Sequence, residues 1–177
     1  CLYDCLSEGR VDGSIRPNQV ITLALPFSPV PMEAGRSALE VVERELLTPY
    51  GLRTLSPSDP RYKGRYQGDQ MERDGAYHQG TVWAWLMGQF ISACVRYRGD
   101  EPETPRKVIR LLKGFAEHIR STGLGSISEI FDGDPPHHPR GCISQAWSVS
   151  EILKALVWEL PKCVKGDGKN SSSLLSI

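Results

Sequence analysis

Apolar residues at helical spacing, in blocks cut short by proline and glycine, are what this chain imposes on any fold it adopts. Over residues 31–48, Ala38, Leu39, Val42 and Leu46 recur on one face while Arg36, Glu40, Glu43 and Arg44 take the other. That is the pattern of an amphipathic helix, and Pro49 stops it. Residues 102–121 carry a second stripe, Val108, Leu111, Leu112, Phe115 and Ile119, with Lys107, Arg110, Lys113 and Glu117 outside and Thr122-Gly123 closing it. Residues 75–97 read as one helix whose inner turns are apolar nearly all round (Trp85, Leu86, Phe90, Ile91, Cys94), the mark of burial between other helices. Residues 145–160 are apolar at Val149, Ile152, Leu153, Leu156 and Leu160, and Pro161 is expected to end that helix. A shorter helix is expected over 17–25, because Pro17 suits the first helical position, where its missing N–H has no partner to lose. Strand alternation is scarce. The spacing predicts an all-α array of antiparallel helix pairs, with polar residues gathered at one end of several helices.

The connections are less regular. Residues 1–14 read as loop, with Asp12-Gly13 as a turn signal. Over 50–74, Gly51, Pro57, Pro60, Gly64 and Gly68 break any helix, leaving a long connection that holds Arg53, Asp59, Tyr62, Tyr66 and Asp69. Connections of that length inside a domain are often functional. The glycines, lysines and serine run at the C-terminus read as a disordered tail, so the domain is expected over 1–162 and the tail over 163–177. The formal net charge is zero with no basic stripe, which argues against a nucleic-acid partner. No apolar run approaches the roughly 20 residues of a membrane span, and no signal-peptide pattern is present. Cys1, Cys5, Cys94, Cys142 and Cys163 are scattered without CxxC or zinc-ligand spacing. They favour neither a disulfide framework nor a metal site, and point to a reducing, cytoplasmic home. The chain opens on Cys1 rather than methionine, so a fragment of something longer is expected.

Residues 127–147, ISEIFDGDPPHHPRGCISQAW, spend side chains that a fold does not require. Glu129 and Asp132, three apart, could both be aimed into one cavity by a turn or strand end. Asp134-Pro135-Pro136 stiffens the path, because proline fixes φ and pushes the preceding residue out of the α region. His137, His138, Arg140 and Gly141 follow, fitting a loop rim. Either a polar surface loop or a site loop is compatible with this composition. Tyr77, His78, Gln79 and Trp83 crowd what reads as a helix N-terminus, where unpaired N–H groups favour oxygen-rich ligands. Arg16, Asn18 and Gln19 sit against an apolar run, and capping explains them as well as ligand contact does.

Four segments then carry a resemblance. DGSIRPNQ, LLTPYGLRTLSPSDPRYKGRY, RDGAYHQGTVWAW and SEIFDGDPPHHPRGCISQAWSVSEIL, in that order, resemble the C-terminal catalytic part of the glycogen debranching enzyme family. These are amylo-α-1,6-glucosidase domains of the bacterial and archaeal single-activity type, and the resemblance runs over roughly residues 2–160. It implies an (α/α)6 toroid of which this chain is the C-terminal part, with a sugar cleft built from loops at one end. It implies inverting hydrolysis of α-1,6-linked glucose at the branch points of glycogen or branched maltooligosaccharides, with no cofactor and no metal. The glutamate of the family's SEI-(F/Y)-D motif, the general base, falls on Glu129. The family's general acid, an aspartate in a WMD-type motif upstream of the RPNQ segment, has no counterpart here. The resemblance therefore implies a chain that supplies the base while an N-terminal part of the same polypeptide supplies the acid, and that is inactive alone. Arg16, Asn18, Gln19, Tyr77, His78, Gln79, Trp83 and Asp132 are expected to line the cleft around the bound sugar. Ala84 stands where the family usually has proline, a change that should be tolerated. The alternative is a non-catalytic glucan-binding remnant of a truncated debranching enzyme.

Overall fold

The computed structural model describes residues 1–164. Helices form within the expected stretches: α1 (Asn18–Ala24), α2 (Met32–Glu45) and, after it in the chain, α5 (Thr104–Ser121), but α2 ends before Thr48 and Pro49 because Leu47–Thr48 pairs as a strand. The helix at the centre is α4 (Leu86–Arg98), against which α1, α2 and α5 all pack. Met87, Phe90, Ile91, Ala93, Cys94 and Tyr97 are buried on it, so it is enclosed on nearly every side, as its all-round apolarity predicts. Each large apolar side chain buried there stabilises the fold by about 1.5–3 kcal/mol. Burial pushes the Cys94 thiol up to about 12, in keeping with a small buried hydrophobe. Close approach of α2 depends on Gly35, since a Cβ there would run into the ring of Tyr97. The Tyr97 hydroxyl in turn donates to the Val30 carbonyl at 3.0 Å, pinning the turn before α2.

The expected single helix over 75–97 is not one helix. A separate α3 (Gln70–Ala76) opens on a capping box, in which the Asp69 side chain accepts from the Glu72 backbone and Glu72 from that of Asp69. Beyond it Thr81 Oγ1 donates to the Ala76 carbonyl at 2.7 Å, and Gly80 sits at φ 144°, outside the reach of most side chains. Val82–Trp83 then forms a strand, β5, before α4 begins. A β-branched residue and an aromatic fit a pleated, half-buried surface, and here that local preference prevails over the helical pattern downstream. Tyr77, His78 and Gln79 consequently follow a helix C-terminus rather than opening a helix, and the argument from unpaired N–H groups does not apply to them.

Helices dominate, but the fold is not purely α. Residues 5–12 make a hairpin, β1 (Cys5–Ser7) against β2 (Arg10–Asp12), where a loop is expected. Its two-residue turn has Glu8 and Gly9 at φ 49° and 73°, the left-handed pair that matches the twist of a hairpin. A second, antiparallel sheet runs in chain order through β3 (Leu47–Thr48), β4 (Gly51–Arg53), β5, β6 (Ile130–Phe131) and β7 (Pro139–Arg140). Strands of two or three residues are too short to show alternation, which is why the sequence hides them. This sheet ties the irregular connection after β4 and the stretch around Glu129 to one scaffold.

Nor does Pro161 end the last helix. After α6 (Ala146–Lys154), residues Ala155–Glu159 form a π-turn and α7 (Leu160–Val164) continues. A wider turn accommodates a proline ring that would otherwise press on the carbonyl four residues earlier, and proline has no N–H to leave unpaired. Leu153, Val157 and Trp158 of this segment face outward, 55%, 54% and 66% exposed. Cys163 and Val164 are buried in α7, and the remainder of the expected tail, 165–177, lies outside the described residues. Among the described residues no helix is long and apolar enough to cross a membrane.

Candidate active site

The β6–β7 hairpin presents the two acidic residues of the 127–147 stretch in different ways. Its ladder extends beyond the strands: Gln145 N donates to Ile127 O, Glu129 N to Cys142 O and Asp132 N to His138 O, each at 2.9 Å. Ile130 pairs with Arg140, so Gly141 is an extra residue between that pair and the Glu129–Cys142 bond. Gly141 adopts φ 66°, and a Cβ there would lie 2.5 Å from Glu129 Oε2. Side chains of an extended segment alternate, so residues three apart point to opposite faces. That parity assigns Glu129 and Asp132 to opposite faces, and the two carboxylates have separate hydrogen-bond partners and different burial.

Asp132 is sealed, with no exposed surface, against Arg140. Arg140 Nη2 donates to its Oδ2 at 3.0 Å and Arg140 Nε to its Oδ1 at 3.2 Å, while Tyr66 N donates to Oδ1 at 2.9 Å. His137 Nδ1 lies 2.9 Å from the Asp132 carbonyl. Arg140 and His137 thus structure the hairpin, as a rim role requires.

Glu129 is half-buried and held by neutral donors. The Tyr77 hydroxyl donates a short hydrogen bond to Oε1, and the Cys142 backbone N–H donates to Oε2 at 2.9 Å. Burial pushes the Glu129 carboxyl up, but the Tyr77 and Cys142 hydrogen bonds together outweigh it, leaving the group below the ordinary glutamate value. The Tyr77 phenol moves the other way: burial, then the hydrogen bond to Glu129 and its negative charge, all raise it. Glu129 is therefore ionised at neutral pH and retains lone pairs on both oxygens, the state in which a carboxylate accepts a proton.

Aromatic rings surround the phenol. Tyr77 lies edge-on to Trp83 at 4.8 Å and to His78 at 4.9 Å, with Tyr66 tilted 5.7 Å away. Trp83 Nε1 donates to the Tyr77 carbonyl at 3.0 Å. His78 is stacked on Trp83, with ring centres 5.3 Å apart and planes 8° from parallel.

The other residues singled out by sequence gather beside this cluster. Asp4, Arg16, Pro17, Asn18, Thr54, His78 and Gln79 line a cleft of about 360 Å³. Arg16 spends its guanidinium on the protein, donating to Thr54 O at 3.0 Å, His78 O at 2.7 Å and Gln79 Oε1 at 2.8 Å, with Asp4 3.7 Å from its Nε. Asn18 Nδ2 donates to Asp4 Oδ1 at 2.7 Å. Gln19 is buried and serves the backbone, donating to Arg16 O and accepting from Leu2 N. His78 joins the cleft to the aromatic cluster. Asp4 and Cys142 escaped the sequence reading as site residues, and Tyr66 stood out only as one of the polar groups of the long connection. Asp4 lies in a stretch read as loop, and Cys142 donates to Glu129 through a backbone N–H that any residue but proline supplies.

The family model for amylo-alpha-1,6-glucosidase matches residues 1–154. This chain belongs to the amylo-alpha-1,6-glucosidase family. It is 27% identical over 161 residues to the glycogen debranching enzyme of Saccharomyces cerevisiae, a match covering 80% of this chain. The same match covers 10% of the yeast protein, so the chain spans about a tenth of that relative's length. Among the described residues of this amylo-alpha-1,6-glucosidase family member, no group of three or more His, Cys, Asp or Glu stands together as a metal site would require.

Proposed function

We propose that this chain carries the general base, Glu129, of an inverting glycosidase that releases α-1,6-linked glucose from the branch points of glycogen and related branched glucans. Family membership supports the reaction class, and the name of the yeast relative supports a glycogen-type substrate. The observation that carries the assignment of Glu129 is its setting: half-buried, ionised, held by two neutral donors, and beside a stacked His78–Trp83 platform. In the proposed step Glu129 takes a proton from a water whose oxygen forms a bond to the anomeric carbon. The bond from that carbon to the O6 of the branch sugar breaks, and O6 receives a proton from a carboxylic acid. Attack from the opposite face yields β-glucose from an α-linkage. The two carboxyl groups of such a pair stand roughly 6.5–9.5 Å apart to admit the water.

We assign the acid to a part of the parent polypeptide beyond these residues. Two nearby aspartates have other work: Asp132 is sealed against Arg140, and Asp69 caps α3. Residues 1–162 are read as the C-terminal part of an (α/α)6 toroid, a reading supported by the outward apolar face of Leu153, Val157 and Trp158, which further helices would cover. His78 and Trp83 offer a face to a pyranose ring, and Asp4, Asn18 and Gln79 offer groups to its hydroxyls. Arg16, Gln19 and Asp132 hold the walls of the site. The chemistry needs no metal or cofactor, and the scattered cysteines fit a cytoplasmic home.

Glu129→Gln in the full-length protein tests the reading. The amide keeps an acceptor for Tyr77 but cannot take a proton, so glucose release should fall by about 10²- to 10⁴-fold. Binding of a branched maltooligosaccharide, measured by calorimetry, should persist. Near-normal turnover would remove Glu129 from the mechanism, and a wild-type protein that binds but never hydrolyses would establish the non-catalytic remnant instead.

A further inference from the structure

We propose that Tyr77 is a positioning residue for the base: its hydroxyl holds Glu129 Oε1 so that a remaining lone pair faces the attacking water, and its ring is not a sugar platform. This rests on the reading of Glu129 as base. Both ends of the Tyr77 residue are engaged. Its hydroxyl is on Glu129, its carbonyl accepts from Trp83 Nε1, and its ring makes edge-type contacts with Trp83 and His78 and a tilted one with Tyr66. The ring is packed among three aromatic neighbours, while its hydroxyl reaches the reacting group.

The Tyr77 hydroxyl and the Cys142 backbone N–H orient the carboxylate, one per oxygen, and the Cys142 thiol adds a further contact. Cys142 gives a backbone N–H, which no substitution short of proline removes. Tyr77 gives a side-chain hydroxyl, the larger of the two side-chain contributions to the brace, ahead of the Cys142 thiol. Loss of that donor leaves Oε1 free to rotate out of line, and displacement of a reacting group costs rate steeply. It also changes the base itself. The hydrogen bond favours the ionised carboxylate, so without it burial prevails and Glu129 becomes harder to ionise. The titratable groups facing Glu129 are Tyr77 from the end of α3 and Cys142 from across the hairpin, with Tyr66 behind Tyr77. None of them is cationic, so no ion pair masks the effect.

The test is the pH dependence of kcat/KM for glucose release by the full-length protein. Its acid limb reports the base in the free enzyme. Tyr77→Phe should move that limb upward by about one pH unit, the worth of one hydrogen bond to a charged group. At the optimum kcat should fall about tenfold or more while KM stays within about threefold. Replacing Tyr77 by 3,5-difluorotyrosine keeps ring and hydroxyl, so folding is preserved, and strengthens the donor; the limb should then move downward. An acid limb unmoved in both variants overturns the proposal. So does a Tyr77→Phe variant whose KM rises with kcat intact, the signature of lost sugar contact. Glu129→Gln measured in parallel separates the two levels: an active Glu129→Gln enzyme defeats the base assignment, whereas an inactive one with an unmoved limb in the Tyr77 variants defeats this inference alone.

Discussion

Glu129 and Asp132 are three residues apart on one hairpin, yet they occupy opposite electrostatic worlds. Asp132 is completely buried and takes its hydrogen bonds from the Arg140 guanidinium and a backbone amide. Glu129 is half-buried and takes its hydrogen bonds from a phenol and a backbone amide, both neutral. An ion pair cancels the charge on a carboxylate and fixes it in place, which suits a structural brace. Neutral donors orient a carboxylate without cancelling its charge, and leave it able to gain a proton. The extended backbone supplies the separation, because an odd spacing along it turns neighbouring acids to opposite faces. One short hairpin can therefore hold an ion-paired acid and one whose charge is left uncancelled.

The contrast can be broken from either side. On the Glu129 side the largest effect is the loss of turnover in Glu129→Gln, which should cost about 1–2 kcal/mol of stability, because the side chain is partly solvated but glutamine can accept from only one of Tyr77 and the Cys142 N–H. On the Asp132 side Asp132→Asn should do the opposite. It leaves Arg140 without its partner charge at a sealed position and should cost about 2–3 kcal/mol in denaturant unfolding, below the range for a fully buried pair because Arg140 keeps about a third of its side chain in solvent. Asp132→Asn with wild-type stability would show that the ion pair is not the brace inferred here. A smaller effect joins the two sides. Gly141→Ala introduces a side chain at φ 66° and against Glu129 Oε2, and should cost about 1–2 kcal/mol with a fall in kcat, read by melting and steady-state kinetics. A variant losing stability but no rate would place Gly141 in the turn alone.

Acidity adds a direction. The folded Glu129 carboxyl lies below its unfolded value, so it contributes stability that is present above the unfolded value and is lost as pH falls through the folded one.

The longer helices were legible because stripes such as Val108, Leu112 and Phe115 repeat over several turns. The meander was not, since pairs such as Val82–Trp83 and Ile130–Phe131 are too brief to carry a period. Pro161 misled for a different reason: a proline blocks an α-helical turn but not a widened one. In the site, Glu129, His78 and Trp83 stand out by residue type and motif. Their working contacts do not. The Tyr77–Glu129 hydrogen bond joins residues far apart in sequence, and the amide contact from Cys142 is made by backbone, which carries no chemical label. Asp4 had no signal beyond its charge until the fold placed it against Arg16 and Asn18.

Azide addresses the central claim most directly. In Glu129→Ala the carboxylate is gone and a space remains where it stood, while azide is a nucleophile that needs no base to remove a proton. The full-length variant should release almost no glucose from an α-1,6-branched substrate in water. With azide it should recover turnover and form β-glucosyl azide, the inverted product. A folded Glu129→Ala protein that azide does not rescue, or one that still hydrolyses the branch in plain buffer, would contradict the assignment of Glu129 as the base.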